Sequence, residues 1–309
     1  MKLSIVTTLY KSSTFVLEFV ERSTNAARAI VGDSFEIVLV NDGSPDDSLD
    51  VALELARSTP NLVIVDLSRN FGHHHAMMAG LHHASGEKVF LIDVDLEERP
   101  EWLLDFDEKM KHEQCDVVYG VQAQRKGGWF ERISGGLYWR YLHLFNGLRL
   151  PRNMTTARLM TRTFVDALLM HRERELNIGG LWYLAGFNQV PVIVSKGSRP
   201  NSTYSFGRKV GLFVNSVVSF SNRPLYWVFG IGALIMAASS VLIIRLLLQW
   251  AFLSRPPAGY TTLMLSIWFL GGVTTMSMGV IGIYIGKIFT EVKQRPTFIV
   301  RTVHRSPVR

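Results

Sequence analysis

Val89-Phe90-Leu91-Ile92-Asp93-Val94-Asp95-Leu96-Glu97-Glu98-Arg99-Pro100-Glu101 is the stretch on which the fold turns. Residues 89–92 are β-branched or large and apolar, the composition of a short buried strand. The run ends in two aspartates one residue apart, and Pro100 suits the first turn of a following helix. In an open α/β sheet, ligands sit beyond the carboxyl ends of the strands, so the pair points to a crevice. Alternation along extended backbone puts Asp93 and Asp95 on one side. Two hard carboxylates there suit Mg²⁺ or Mn²⁺, which would also hold phosphates. For the tripeptide alone, a solvated Asp-x-Asp loop is the alternative.

Outward from this strand, the pattern repeats. Residues 3–8, 35–40, 62–67, 88–92 and 116–120 read as strands. Helical stretches over 14–30, 46–58 and 73–84, and another after Pro100, alternate with them. Ser12 or Ser13 is the expected cap of the first helix. Strands alternating with helices at this spacing predict a mostly parallel, doubly wound α/β sheet. Residues 155–197 return to α/β character, with a helix over 163–170.

The chain has 309 residues, 48% of them hydrophobic, and a formal net charge of +7. Such a charge suits nucleic acid or an anionic membrane surface. Hydropathy decides between them. Residues 225–244 and 261–286 carry no charge, and each run is long enough to cross a bilayer core of roughly 30 Å. A buried soluble helical hairpin is the alternative. Arg199, Arg208, Lys209 and Arg223 flank the pair on one side, and Lys287, Lys293, Arg295, Arg301, Arg305 and Arg309 on the other. The positive-inside rule then puts both termini in the cytoplasm. Residues 127–148 mix Trp129, Tyr138, Trp139 and Tyr141 with Arg132 and Arg140, which suits a helix lying on a membrane surface or one covering the sheet. A single cysteine, Cys115, excludes an internal disulfide and suits a reducing compartment. The start of the chain is too short and strand-like for a signal peptide.

The expected organisation is therefore a catalytic α/β domain over 1–200 and an amphipathic juxtamembrane segment over 201–224. Two transmembrane helices follow over 225–289, at about 225–250 and 261–287. A basic cytoplasmic tail closes the chain over 290–309. On the second span, Gly282 and Gly286 form a Gly-x-x-x-Gly face, which suits either a homo-oligomer or packing on Gly230 and Ala233 within one chain.

The order of short motifs adds a resemblance. Asn41-Asp42-Gly43-Ser44, Leu67-Ser68-Arg69-Asn70-Phe71-Gly72, Ala84-Ser85-Gly86, Asp93-Val94-Asp95-Leu96, Arg99-Pro100-Glu101 and Ser221-Asn222-Arg223-Pro224-Leu225 together resemble family 2 glycosyltransferases. The likeness is closest to the polyprenyl-phosphate glycosyltransferases, the group of dolichol-phosphate mannose synthases and bactoprenol glucosyl transferases. It covers essentially the whole chain.

The resemblance implies a GT-A fold at the inner membrane. It implies transfer of a sugar, with inversion, from a nucleotide-diphosphate donor, a UDP-sugar above all, to undecaprenyl phosphate. Asp42 would help hold the nucleoside, and Asp93 and Asp95 the Mg²⁺ or Mn²⁺ and the donor diphosphate. Arg158, Arg162 and Arg199 are the expected phosphate grips, because guanidinium forks match phosphate oxygens. Nucleic acid is not an expected partner. Glu97, Gln122, Thr156 and Thr203 depart from the usual family residues, and they surround the expected donor site. An inactive membrane scaffold and a processive polysaccharide synthase are the alternative functions. His73, His74, His75, His82 and His83 read as surface histidines of a helix, with no ligand set beside them.

Overall fold

The computed structural model describes residues 1–122, 153–171, 173, 178–196 and 259–306, with scattered positions from 225 to 252. The chain divides into two compact units. Met1–Gly136, Arg149–Thr203 and Arg295–Arg309 make the first, and Leu137–Leu148 with Tyr204–Gln294 the second.

The first unit is built on one eight-stranded sheet. Its strands are β1 (Leu3–Leu9), β2 (Phe35–Asn41), β3 (Leu62–Leu67), β4 (Lys88–Leu91), β5 (Val117–Gln122), β6 (Met154–Thr161), β7 (Gln189–Val194) and β8 (Val300–Arg305). The spatial order is β7-β5-β6-β4-β1-β2-β3-β8. Strands β1, β2, β3 and β4 pair in parallel, as do β5 and β7, while β6 and β8 run antiparallel to their neighbours.

Among the described residues, this unit has six helices: α1 (Ser13–Val31), α2 (Ser48–Ser58), α3 (His73–His83), α4 (Trp102–Glu113), α5 (Arg162–Leu169) and α6 (Ile178–Leu184). Strands β1, β2 and β3 are buried on both faces, as expected for parallel strands between helical layers. Ile5, Ile37, Ile64 and Phe90 face one core with Phe19, Ala52 and Phe106 from α1, α2 and α4. Val6, Val38, Val65 and Leu91 face the other with Ala76, Phe164 and Leu181 from α3, α5 and α6. Alternate residues of one strand thus serve opposite cores.

Two predicted details change. Ser12 stands at the N-cap position of α1, but its hydroxyl donates to Tyr10 O at 3.1 Å and caps no helix N–H. Within the stretch expected to be a basic tail, residues 300–305 form β8 on the β3 edge. Ser306 seals that join: its hydroxyl accepts from Leu62 N at 2.8 Å and donates to Leu62 O at 3.0 Å. Truncation after Gln294 should therefore lower the folding stability of the sheet unit by about 2–3 kcal/mol, from a few net hydrogen bonds of ~1 kcal/mol each. Thermal unfolding of the truncated and full chains measures this, and equal midpoints would refute it.

In the second unit, α7 (Tyr260–Val292) is a 33-residue helix. Its segment Phe269–Val292 has a mean hydropathy of 1.5 and is, among the described residues, the one helix long and apolar enough to cross a membrane. Met276, Met278 and Ile288 stand exposed on it. The first expected span is described only in part, with residues 225–232 helical. Gly282 and Gly286 have open space around them, while Ala233, the expected partner position, lies outside the described residues. The 127–148 and 201–224 segments lie outside them as well.

Candidate active site

The crevice forms where β1 and β4 end side by side. Ile92 N donates to Val6 O at 3.1 Å, so β1 pairing continues up to Asp93. Asp93 leaves the sheet here, and Oδ1 of its carboxylate is buried without a well-formed hydrogen bond. The nearest cation-capable group is His73, at the first turn of α3, with Nε2 3.3 Å from that oxygen. The other ring nitrogen, Nδ1, lies 3.0 Å from Thr8 Oγ1 at the end of β1. Burial pushes Asp93 upward, but His73, the Thr156 hydroxyl and Lys196 outweigh it and hold the carboxyl below its usual range.

Asp95 follows in a tight turn. Leu96 adopts φ +61, a left-handed conformation uncommon for a side chain of this size. The turn brings Glu97 N to Asp95 Oδ1 at 3.1 Å. Burial raises the Asp95 pKa, and repulsion from Asp93 and Glu97 adds to it. Lys196, just beyond β7, reaches into this acidic group, with Nζ 3.4 Å from Glu97 Oε2 and 3.5 Å from Glu98 Oε1. Glu97, one of the departures noted in the sequence, thus has its own counter-charge.

Two loops from neighbouring strands close one flank of the site. Asp42, at the end of β2, is 2% exposed. Its Oδ1 accepts from Phe71 N at 2.7 Å and its Oδ2 from Gly72 N at 3.0 Å. Gly43 adopts φ +58, and a Cβ there would sit 2.5 Å from the backbone of Arg69 and Asn70. Only glycine allows the two loops to lie this close.

The description "Glycosyl transferase family 2" matches residues 4–169, more than half of the chain. The chain belongs to glycosyltransferase family 2. A Mycobacterium tuberculosis protein named "Putative glycosyltransferases" is 47% identical over 99% of this chain and 89% of its own length. A Shigella flexneri protein named "SfII prophage-derived bactoprenol glucosyl transferase" is 30% identical over 99% of both chains. Among solved structures, S. aureus TarS 1-349 in complex with UDP-GlcNAc aligns at a TM-score of 0.47 and 17% identity, over 71% of this chain and 66% of that one.

Within this glycosyltransferase, the sequence-predicted residues divide. Asp93 and Asp95 share the crevice. Asp42, the expected nucleoside contact, lies beside it with its carboxylate on the 71–72 backbone. Arg158 lies within β6, opposite Leu91 and Tyr119. It is 1% exposed, stacks over Trp182, and donates to Thr156 O at 3.3 Å and Thr155 O at 3.4 Å. Its guanidinium, the expected phosphate grip, lies inside the fold in this structure. Arg162 is placed elsewhere. Thr161 pairs with Lys88 at the start of β4, so Arg162 sits at the opposite end of the sheet from Asp93. There it donates to Gly86 O at 2.6 Å and Ala84 O at 2.9 Å. Arg199 lies outside the described residues.

Sequence reasoning missed three residues here. His73 was grouped with its four histidine neighbours, yet its place directly after Gly72, where β3 hands over to α3, marks the carboxyl end of the sheet. Glu98 and Lys196 carried no motif. Glu98 is fully buried and accepts from Thr156 N at 3.0 Å and Ala157 N at 2.7 Å, tying the Asp-x-Asp loop to β6.

Burial first, and Asp93 next, push the Glu98 carboxyl from its ordinary 4.5 up to about 7. Between those values the folded chain holds a proton that the unfolded chain has lost, so stability falls as pH rises through the window and levels off above it. Glu98→Gln should abolish this fall, which is worth at most about 3 kcal/mol. Thermal midpoints of both proteins from pH 5 to 8 test it, and parallel slopes would refute it.

The donor set can be tested against a divalent cation. Among the described residues, no three His, Cys, Asp or Glu side chains form a ready cage. Two carboxylates with an unpartnered buried oxygen do suit Mg²⁺ or Mn²⁺, which bind through one or two carboxylates and complete their shell with substrate phosphates and water.

Proposed function

We propose that this glycosyltransferase moves a sugar from a nucleoside diphosphate, a UDP-sugar above all, to the phosphate of a membrane polyprenol such as undecaprenyl phosphate. The observation that carries this reading is the join between the apolar helix and the catalytic sheet. Strand β8 follows α7 in the chain and pairs with β3 of the sheet that holds Asp93. One sheet cannot lie on both sides of a membrane. If α7 crosses, an odd number of further crossings must lie between Lys196 and Gly259, and the uncharged 225–244 run supplies one. The catalytic unit is then held at the bilayer by chain entering and leaving on one side, where a lipid-borne acceptor resides. The 30% identity to a protein named for bactoprenol supports the same acceptor class.

A phosphate oxygen of the acceptor attacks the anomeric carbon while the bond to the nucleoside diphosphate breaks, inverting that centre. The acceptor is already an anion, so the site needs no strong base. Its work is alignment, and holding two reactants in line supplies much of the barrier reduction. A divalent ion, when bound, would neutralise charge on the leaving diphosphate. Asp93 and Asp95 would hold that ion. Lys196 adds a cation beside the diphosphate, and the Asp42-bound loop shapes the nucleoside flank.

Membranes containing the full chain, labelled undecaprenyl phosphate and a panel of UDP-, GDP- and dTDP-sugars test the proposal. A lipid-linked monosaccharide from one donor is the expected product. Transfer only to a water-soluble acceptor, or none with any donor, overturns it.

A further inference from the structure

The contact between α3 and the Asp-x-Asp loop has a directional chemistry. Asp93 Oδ1 faces His73 Nε2 at 3.3 Å, and His73 Nδ1 faces Thr8 Oγ1 at 3.0 Å. An ionised carboxylate only accepts hydrogen bonds, so the tautomer that suits this approach is the one with its proton on Nε2. A neutral ring then accepts the Thr8 hydroxyl proton at Nδ1, and Thr8, 8% exposed at the end of β1, fixes the ring's orientation. Three elements therefore meet at one carboxylate: β1 through Thr8, α3 through His73 and the end of β4 through Asp93.

We infer that His73 is a positioning residue for Asp93, keeping its carboxylate turned to the crevice where a cation and donor diphosphate would bind. The inference rests on the proposed metal-assisted transfer. Asp93 has a competing partner, because the positive charge of Lys196 also acts on its carboxylate. Lys196 itself already pairs with Glu97 and Glu98. Without His73, the Thr156 hydroxyl and Lys196 are left acting on Asp93, and the carboxylate can turn towards that ammonium. His73 thus fixes the orientation in which Asp93 would meet a bound cation. A partner that orients a ligating carboxylate commonly governs 10–100-fold in metal affinity.

The test uses the full chain in detergent and Mn²⁺ titrated by electron paramagnetic resonance, alone and with UDP, alongside kcat and KM for the donor. His73→Ala should weaken Mn²⁺ binding at least ~10-fold and raise the donor KM more than it lowers kcat. His73→Gln presents an amide N–H towards Asp93 and should stay within ~3-fold of wild type. Thr8→Val, which frees the ring, should fall between them. Unchanged Mn²⁺ affinity in His73→Ala, a Gln variant no better than Ala, or a wild type that binds no Mn²⁺ would each overturn the inference. The two proposals fail separately. His73-dependent Mn²⁺ binding without lipid-linked product refutes the acceptor assignment alone. Lipid-linked product with Mn²⁺ binding indifferent to His73 refutes the positioning role alone.

Discussion

Asp95→Ala should lower sugar transfer ~10²–10³-fold, the scale for losing one preorganised electrostatic group, while the protein stays folded. Asp95 is held by a backbone turn, through Glu97 N and the left-handed Leu96, and no described helix or strand depends on its side chain. Burial and the neighbouring Asp93 and Glu97 make its charge costly in the folded state. A group with a raised pKa contributes unfavourably once ionised, so at neutral pH the variant's thermal midpoint should match or exceed that of wild type. Lost activity with equal or greater stability is the pattern of a residue retained for function. Transfer assays and thermal unfolding on the same preparations decide it. EDTA should reproduce the loss, and Mn²⁺ or Mg²⁺ should reverse it. Full activity in the variant or in excess chelator would remove the metal-assisted mechanism.

Arg158→Ala should act through the fold, costing about 3–5 kcal/mol. The truncation opens a cavity against Trp182 and removes a positive charge whose field reaches buried Glu98 and Tyr119. Arg158→Met separates packing from charge. It refills most of the volume, and apolar replacement of a buried charge is often close to neutral. The methionine variant should therefore recover more than half of the lost stability, with activity returning in parallel. A stable but inactive methionine variant would restore Arg158 as a phosphate contact and refute its structural role.

These two substitutions test the motif-level reading from two sides. Asp93 and Asp95 are legible because a strand pattern ending in acidic residues locates the carboxyl edge of a sheet. Arg158 and Arg162 fit phosphate recognition by residue type alone, and residue type says nothing of which end of a strand a side chain occupies. Arg158 and Arg162 are four residues apart, yet they lie towards opposite ends of β4. His73 shows the converse, since a histidine within a run of three looks like helix surface until α3 is set against β1 and β4.

By itself, the sequence determined what local pattern controls. Short β-branched and apolar runs specified β1 to β5, and the helical stretches between them α1 to α4, and with them the parallel α/β class, because each element must bury its own apolar surface. The long uncharged segment at 261–286 specified a helix suited to a bilayer by length and hydropathy. Tertiary structure alone decided the long-range partners. Antiparallel β6 enters between β4 and β5, and β8 returns from 233 residues beyond β3 to cover its edge. The Thr8, His73 and Asp93 alignment joins side chains from three separate elements. Pairing of this kind depends on which edge is left open once the local elements have packed, and no window of neighbouring residues contains that information.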